Sequence, residues 1–100
     1  MRNRVAITVM IEPETVRELR EISERLKVST STLVEQAIKD ALFYDDVTVA
    51  RPEGAVTIAS VSIPIELLKE MEKRLKRNER SGFLRYVIKH YIIEKNRVTQ

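Results

Sequence analysis

The sequence predicts a mostly α fold with a short antiparallel β-ribbon, built as two tandem strand–helix–helix units that form a pseudo-dimer within one chain. The first observation is a pattern that occurs twice along the 100 residues. Apolar side chains recur first at every second position, as in a strand, and then at every third or fourth position, as in a helix. The second is size, because a unit of roughly 40–45 residues cannot close a hydrophobic core alone. The third is that a lone strand leaves its backbone groups unpaired, so the two strands are expected to pair with each other.

The first unit begins with a half-buried strand at residues 5–11, where apolar and small or polar side chains alternate. Pro13 then lies in the first turn of a helix of about 14 residues, which has one apolar face. A break rich in Ser and Thr leads into a second helix that ends near Phe43. The side chains expected to face the core are Val5, Ile7, Val9, Ile11, Val16, Leu19, Ile22, Leu26, Leu33, Val34, Ala37, Ile38, Ala41 and Leu42.

The same order returns after a linker, so the predicted division is a first unit at residues 1–43, a linker at 44–55 and a second unit at 56–100, with one shared core. Within the second strand the apolar residues change from even-numbered positions (Val56, Ile58) to odd-numbered ones (Val61, Ile63). This change of parity predicts a bulge or a late strand start near Ala59. The first helices of the two units align at an offset of 52 residues and the second helices at 50. Core-facing side chains expected here are Val61, Ile63, Leu67, Leu68, Met71, Leu75, Phe83, Leu84, Val87, Ile88, Tyr91 and Ile92.

The amino-acid composition argues against several classes of function. The chain has no cysteine and one histidine, His90, so we expect no metal, no cofactor, no small-molecule substrate and no enzymatic activity. The longest apolar run is too short to span a membrane and no secretory leader is evident, which predicts a cytoplasmic protein with no membrane partner. The net charge is −2 in residues 1–50 and +5 in residues 51–100, an asymmetry that favours a nucleic-acid partner.

The residues around both strands resemble those of the ribbon–helix–helix DNA-binding proteins, the family of the methionine and Arc repressors. The stretches that carry the resemblance are residues 8–16 (TVMIEPETV), 29–38 (STSTLVEQAI) and 61–68 (VSIPIELL). The usual member is a homodimer of one-copy chains, so the resemblance implies a fused form similar to tandem regulators of archaea and their viruses. The scarcity of Asn, Gln and Cys beside many Glu, Lys and Arg favours a thermophilic source.

The resemblance implies that the paired strands enter the DNA major groove with their outward side chains against the bases. Family ribbons often present Arg, Lys, Asn or Gln, whereas this ribbon presents mainly hydroxyls and a thioether, so we expect modest base discrimination. The alternative is that these side chains are simply the solvated face of a sheet. The predicted base contacts are Arg4, Ala6, Thr8, Met10, Ile58, Ser60 and Ser62.

The resemblance also implies that the start of each second helix binds DNA phosphates. Helix capping explains the same Ser and Thr residues without DNA, and the two roles are compatible. In the second unit Asn78 is the expected cap, and Glu79 would repel a phosphate. The basic run at residues 73–80 is either a DNA contact or a solvated helix face. The predicted phosphate contacts are Arg2, Ser29, Thr30, Ser31, Arg77, Asn78, Arg80 and Ser81.

These features together predict a sequence-specific transcription regulator, a repressor that binds double-stranded DNA near a promoter. The resemblance implies self-association on adjacent DNA sites. Because the outward side chains of the two strands differ, the two halves of the site are expected not to be mirror images. Two alternatives remain open. One is an antitoxin-type regulator, for which residues 95–100 leave little chain to bind a toxin; the other is a protein-interaction scaffold of the same fold.

Overall fold

The order strand, helix, helix occurs twice in the computed structural model, which describes residues 3–98 except for the side chain of Val98. The first set is β1 (Arg4–Ile11), α1 (Pro13–Leu26) and α2 (Thr30–Phe43); the second is β2 (Thr57–Pro64), α3 (Ile65–Arg74) and α4 (Arg80–Val87). A 3₁₀ turn (Arg77–Glu79) precedes α4, which continues through a π-helical turn (Ile88–Ile93) into α5 (Glu94–Val98). The prediction of a mostly helical chain with a two-stranded antiparallel sheet is confirmed. Within the described residues, no helix is long and apolar enough to cross a bilayer.

β1 and β2 pair antiparallel over all eight residues of each strand. The bulge or late start predicted near Ala59 is wrong, because the pairing runs without interruption to Ile11 opposite Thr57. The parity change has a simpler cause. Val56 lies before the strand, and Ile58 points away from the core with 68% of its surface exposed.

Both strand–helix–helix sets contribute residues to one cluster of buried apolar side chains beneath the ribbon. Val9, Ile11 and Ile63 project from the inner face of the ribbon and are buried. Phe83 of α4 is the largest of the fully buried side chains. Leu26, predicted to face the core, is instead 45% exposed, because it is the last residue of α1 and lies beyond the packed part of the helix. Sharing one core solves the problem that each unit is too small to bury enough apolar surface alone.

The two inter-helix turns differ in how they are closed. The turn after α1 uses Lys27 in the left-handed region, with φ 57°. In the second unit the cap predicted at Asn78 is wrong. The carboxylate of Glu79 instead accepts the backbone N–H of Lys76 at 2.8 Å. The physical reason is that the 3₁₀ turn starts after Lys76, which places the side chain three residues later next to that unpaired donor.

The linker lies against α4 and the π-helical turn. The Oδ2 atom of Asp46 accepts hydrogen bonds from the hydroxyls of Tyr86 at 2.6 Å and Tyr91 at 2.9 Å. Further along, the backbone N–H of Ala50 donates to the carbonyl oxygen of Gly82 at 3.1 Å. These bonds fix the path of the linker beside the first turn of α4.

Candidate nucleic-acid interface

The outward face of the ribbon brings together the predicted base-contacting residues. The antiparallel register pairs the even-numbered side chains across the strands, on the side away from the core. One end of this face is apolar, because Met10 is 49% and Ile58 68% exposed. The centre is polar and carries exposed hydroxyl groups. The cross-strand pairs are Ala6–Ser62, Thr8–Ser60 and Met10–Ile58.

Arg4 lies at the other end of the outward face and is held in place by other parts of the chain. Its guanidinium donates to Ser62 Oγ at 3.1 Å, to the Ser62 carbonyl at 2.7 Å and to Glu35 Oε1 at 3.0 Å. Burial acts to raise the pKa of Glu35, but hydrogen bonds from Lys39 and Arg4 outweigh it, so the pKa lies below its usual value. Glu35 is therefore ionised at neutral pH and offsets the charge of Arg4.

Ser31 and Ser81 bind the two outer edges of the ribbon. The backbone N–H of Ser62 donates to Ser31 Oγ at 2.8 Å, and that of Met10 donates to Ser81 Oγ at 3.1 Å. Both serines lie in the first turn of a helix, α2 or α4, so each bond holds a helix start against a strand edge. Each hydroxyl accepts here and keeps its own proton as a donor. The predicted phosphate contacts at these two serines thus lie directly beside the outward face.

Ser29 caps α2. Its Oγ accepts the backbone N–H of Thr32 at 3.1 Å and donates to Thr32 Oγ1 at 2.9 Å. The capping role predicted for this segment is confirmed. Thr30, the first residue of α2, is half-buried between Ser29 and Ser31. A phosphate-binding role for the three residues stays a prediction.

The basic residues around the start of α4 line a cleft of about 390 Å³. Arg77 and Asn78 are exposed in the 3₁₀ turn, whereas Arg80 forms an ion pair with Glu72 at 3.6 Å. In the same basic run, Lys73 pairs with Glu70 and Arg74 with Asp45. Exposed ion pairs are weak, so a phosphate can replace these carboxylates at little cost. Arg2, the remaining predicted phosphate contact, lies outside the described residues.

Arg85 is a buried cation behind the candidate interface that the sequence did not lead us to expect. Only 9% of its surface is exposed, and its guanidinium donates to the carbonyl oxygens of Met10 and Ala50. None of the carboxylates in the described residues forms an ion pair with it. The available signal was a basic residue inside the apolar stretch at residues 83–88, which indicates a buried cation that bonds to backbone.

Two further cations, Arg17 and Arg20, were also missed. They lie on α1, are exposed, and line a shallow cleft of about 300 Å³ together with Ile58. Their spacing of three residues places both on the same side of the helix. The apolar end of the outward face is thus flanked by positive charge.

His90, the one histidine of the chain, is exposed near the end of the helical segment. Its Nδ1 lies 2.9 Å from Oε1 of Glu94. Within residues 3–98, no group of three or more His, Asp or Glu side chains is arranged to hold a metal ion. The described residues therefore offer no metal-binding cluster for His90 to join.

A family model of the ribbon-helix-helix domain matches residues 3–42 of the chain. The matched residues comprise β1, α1 and most of α2, which include Arg4, Thr8, Met10 and Ser31. No curated protein and no solved structure matches the chain at a significant level. The match supports the family resemblance for the first unit, and ribbon-helix-helix domains are characteristic of dimeric DNA-binding transcription regulators.

Proposed function

We propose that this chain is a sequence-specific DNA-binding transcription regulator, a repressor, which inserts its ribbon into the major groove of double-stranded DNA. One observation carries the proposal: the outward face is a two-stranded ribbon with exposed hydroxyls, and a helix start is bonded to each of its edges. The major groove of B-DNA, about 12 Å wide, admits such a ribbon. The family match at residues 3–42 supports the same function.

The outward side chains would contact base edges. Thr8 and Ser60, opposite each other at the centre, can donate to or accept from either kind of edge. Met10 and Ile58 form an apolar end that suits the methyl group of thymine. Because the two strands present different side chains, the preferred site has halves that are not mirror images. Arg4, Ala6 and Ser62 complete the proposed base-contacting set.

We further infer that the second strand–helix–helix set is a second ribbon–helix–helix unit, so that one chain supplies both strands. The register supports this, because Thr8 lies opposite Ser60, and the two are separated by the 52-residue offset of the first helices. The edge bonds support it too. Met10 and Ser62 differ by 52 residues and their partners Ser81 and Ser31 by 50, which are the two offsets found in the sequence.

The proposed phosphate contacts lie on both sides of the ribbon. Ser29, Thr30 and Ser31 start α2 on one side; Arg77, Asn78, Arg80 and Ser81 surround the start of α4 on the other. Phosphates on the two flanks of a groove would meet these two helix starts while the ribbon lies between them. Such contacts fix the position of the ribbon and leave sequence reading to the outward face. On longer DNA, copies of the chain would bind side by side on adjacent sites.

The test starts by selecting binding sequences from a random duplex pool with the full chain. Removing both central hydroxyls, Thr8→Ala with Ser60→Ala, should lower affinity for the selected sequence about tenfold, equivalent to about 1.4 kcal/mol. Affinity for mixed-sequence DNA should change little, because that affinity comes from phosphate contacts. The matched control is Gln36→Ala, an exposed polar residue that lines a cleft with Leu26 and Lys95 and does not belong to the ribbon; it should leave both affinities unchanged.

Other outcomes would identify the alternatives. No binding to any duplex at low salt would contradict DNA recognition and favour the scaffold. A stoichiometric small protein that copurifies with the chain would favour the antitoxin-type regulator. A perfectly palindromic selected sequence would contradict the unequal halves.

A further inference from the structure

The linker is the part of the fold that breaks the equivalence of the two ribbon edges. The guanidinium of Arg85 bonds to the Met10 carbonyl on the β1 edge and to the Ala50 carbonyl in the linker. The two carbonyls therefore lie within the span of a single guanidinium group. The Ala50 N–H also donates to the Gly82 carbonyl at 3.1 Å. The linker thus runs next to the first turn of α4, along the outer edge of β1 where Met10 lies (the Met10 edge). The opposite edge of the ribbon is the outer edge of β2, where Ser62 lies (the Ser62 edge).

The two edges of the ribbon carry different charge. At the Ser62 edge, Glu35 pairs with the bound guanidinium of Arg4 at 3.0 Å and with Lys39 at 3.1 Å, which leaves one net positive charge. At the Met10 edge, Arg85 bonds only to carbonyl oxygens. Arg51 follows Ala50 directly; it is exposed, and none of the residues that the structure describes pairs with it. The Met10 edge is therefore the more positive one.

The acidic residue of this part of the linker does not cancel that charge. Glu53 is the single carboxylate in residues 47–55. It forms an ion pair with Lys89 at 3.6 Å, and its backbone N–H donates to Glu12 Oε2 at 2.6 Å. These contacts hold Glu53 beside Lys89 of the π-helical turn and Glu12 at the start of α1, so Arg51 remains the exposed charge closest in sequence to the bonded Ala50.

We propose that Arg51 binds a DNA phosphate beside the first turn of α4, a contact that the chain makes at the Met10 edge alone. The inference rests on the proposed function. It adds a DNA phosphate contact made by the linker, which lies outside the two strand–helix–helix units. The linker is docked before DNA binds, through Asp46, Arg85 and Ala50. Little backbone conformational entropy is therefore lost when Arg51 meets a phosphate.

The first test measures the salt dependence of binding to a labelled mixed-sequence duplex, which requires no knowledge of the operator. Each phosphate neutralised contributes about −0.9 to the slope of log affinity against log salt concentration, so Arg51→Ala should make the slope shallower by about 0.9. Affinity at a fixed low salt concentration should fall about threefold to tenfold. Arg51→Lys keeps the charge and should keep the slope.

The matched control is Arg25→Ala. Arg25 is exposed and lines a cleft with Ile93 and Arg97, so its removal changes net charge equally without touching the linker. An unchanged slope in Arg51→Ala, or the same loss in Arg25→Ala, would overturn the phosphate contact. Absence of binding by the unaltered chain would instead contradict the proposed function, so the two failures are distinguishable.

The second test locates the linker on the DNA. The chain contains no cysteine, and a Cβ at Gly54 would meet nothing within 4 Å. Gly54→Cys therefore gives a single attachment point for iron–EDTA in the linker and leaves Arg51 in place. Hydroxyl-radical cleavage of the selected duplex should occur at one end of the site, because the proposed site has unequal halves and the linker lies at one edge of the ribbon. Absence of cleavage beside the site would place the linker away from the DNA and overturn the Arg51 contact. Equal cleavage at both ends would instead contradict the unequal halves of the proposed site.

Discussion

At the scale of single residues, Asp46 joins the linker to the helices through two tyrosines. The Tyr86 hydrogen bond is the main reason that the pKa of Asp46 lies below its usual value. Burial, followed by the bond to Asp46, raises the pKa of Tyr91 to about 12. The packing role predicted for Tyr91 follows from helical spacing. The acceptor that Tyr86 and Tyr91 share could not be predicted, because this contact depends on how a distant linker folds.

The raised pKa of Tyr91 predicts how stability depends on alkaline pH. The unfolded tyrosine ionises near its ordinary value of 10.0, whereas the folded one stays protonated up to about pH 12. The stabilisation is therefore complete below pH 10 and is lost as the pH rises through that window. Urea unfolding at several pH values should show a smaller stability loss over this window in Tyr91→Phe than in the unaltered chain. Equal losses in both proteins would contradict the assignment.

At the scale of elements, the strands and helices could be predicted because their signals are local. The alternation of apolar and polar residues predicted β1. The recurrence of apolar residues every three or four positions predicted α1 and α2, which end at Leu26 and Phe43. The error at Ala59 arose because apolar Val56 and Ile58 stand at the opposite parity to Val61 and Ile63, which was taken as a sign of interrupted pairing. An apolar residue on a solvent-facing strand breaks the alternation without breaking the pairing. The docked path of the linker has no local signal of this kind.

Gly82 is needed because the linker passes so close to α4. A Cβ at this position would stand 2.4 Å from Val49 Cγ1 and 3.0 Å from the Ala50 carbonyl oxygen. Gly82→Ala should therefore destabilise the fold by about 1–2 kcal/mol, although alanine is the better helix former. Gly54→Ala is the matched control; because its Cβ meets nothing within 4 Å, it should be neutral or slightly stabilising. Thermal unfolding of both variants measures the difference, and equal melting temperatures would contradict the close contact.

At the scale of the whole molecule, β1 and β2 of the same chain pair with each other, so the fold needs no second chain to complete its sheet. Unfolding is then unimolecular, so the melting temperature should not depend on protein concentration across a hundredfold range. A fold in which strands were exchanged between chains would melt at higher temperature as concentration rises. Calorimetry on a dilution series distinguishes the two cases.

The sequence predicted the outward face of the ribbon but only part of its surroundings. Parity alone placed Thr8 and Ser60 on one face. The ion pair between Arg4 and Glu35, the burial of Arg85 and the position of Ala50 near Met10 depend on contacts between elements far apart in the chain. Periodicity reports which side of an element is apolar, and it carries no information about which elements meet.

The pairing of two strands from one polypeptide also affects how mutations can change the ribbon. In an assembly of identical chains, a single codon change alters both members of each symmetric pair at once. Here a change at Thr8 leaves Ser60 as it was, because the two are encoded separately. Each side of the ribbon can therefore acquire new chemistry in small steps while the opposite side keeps its own.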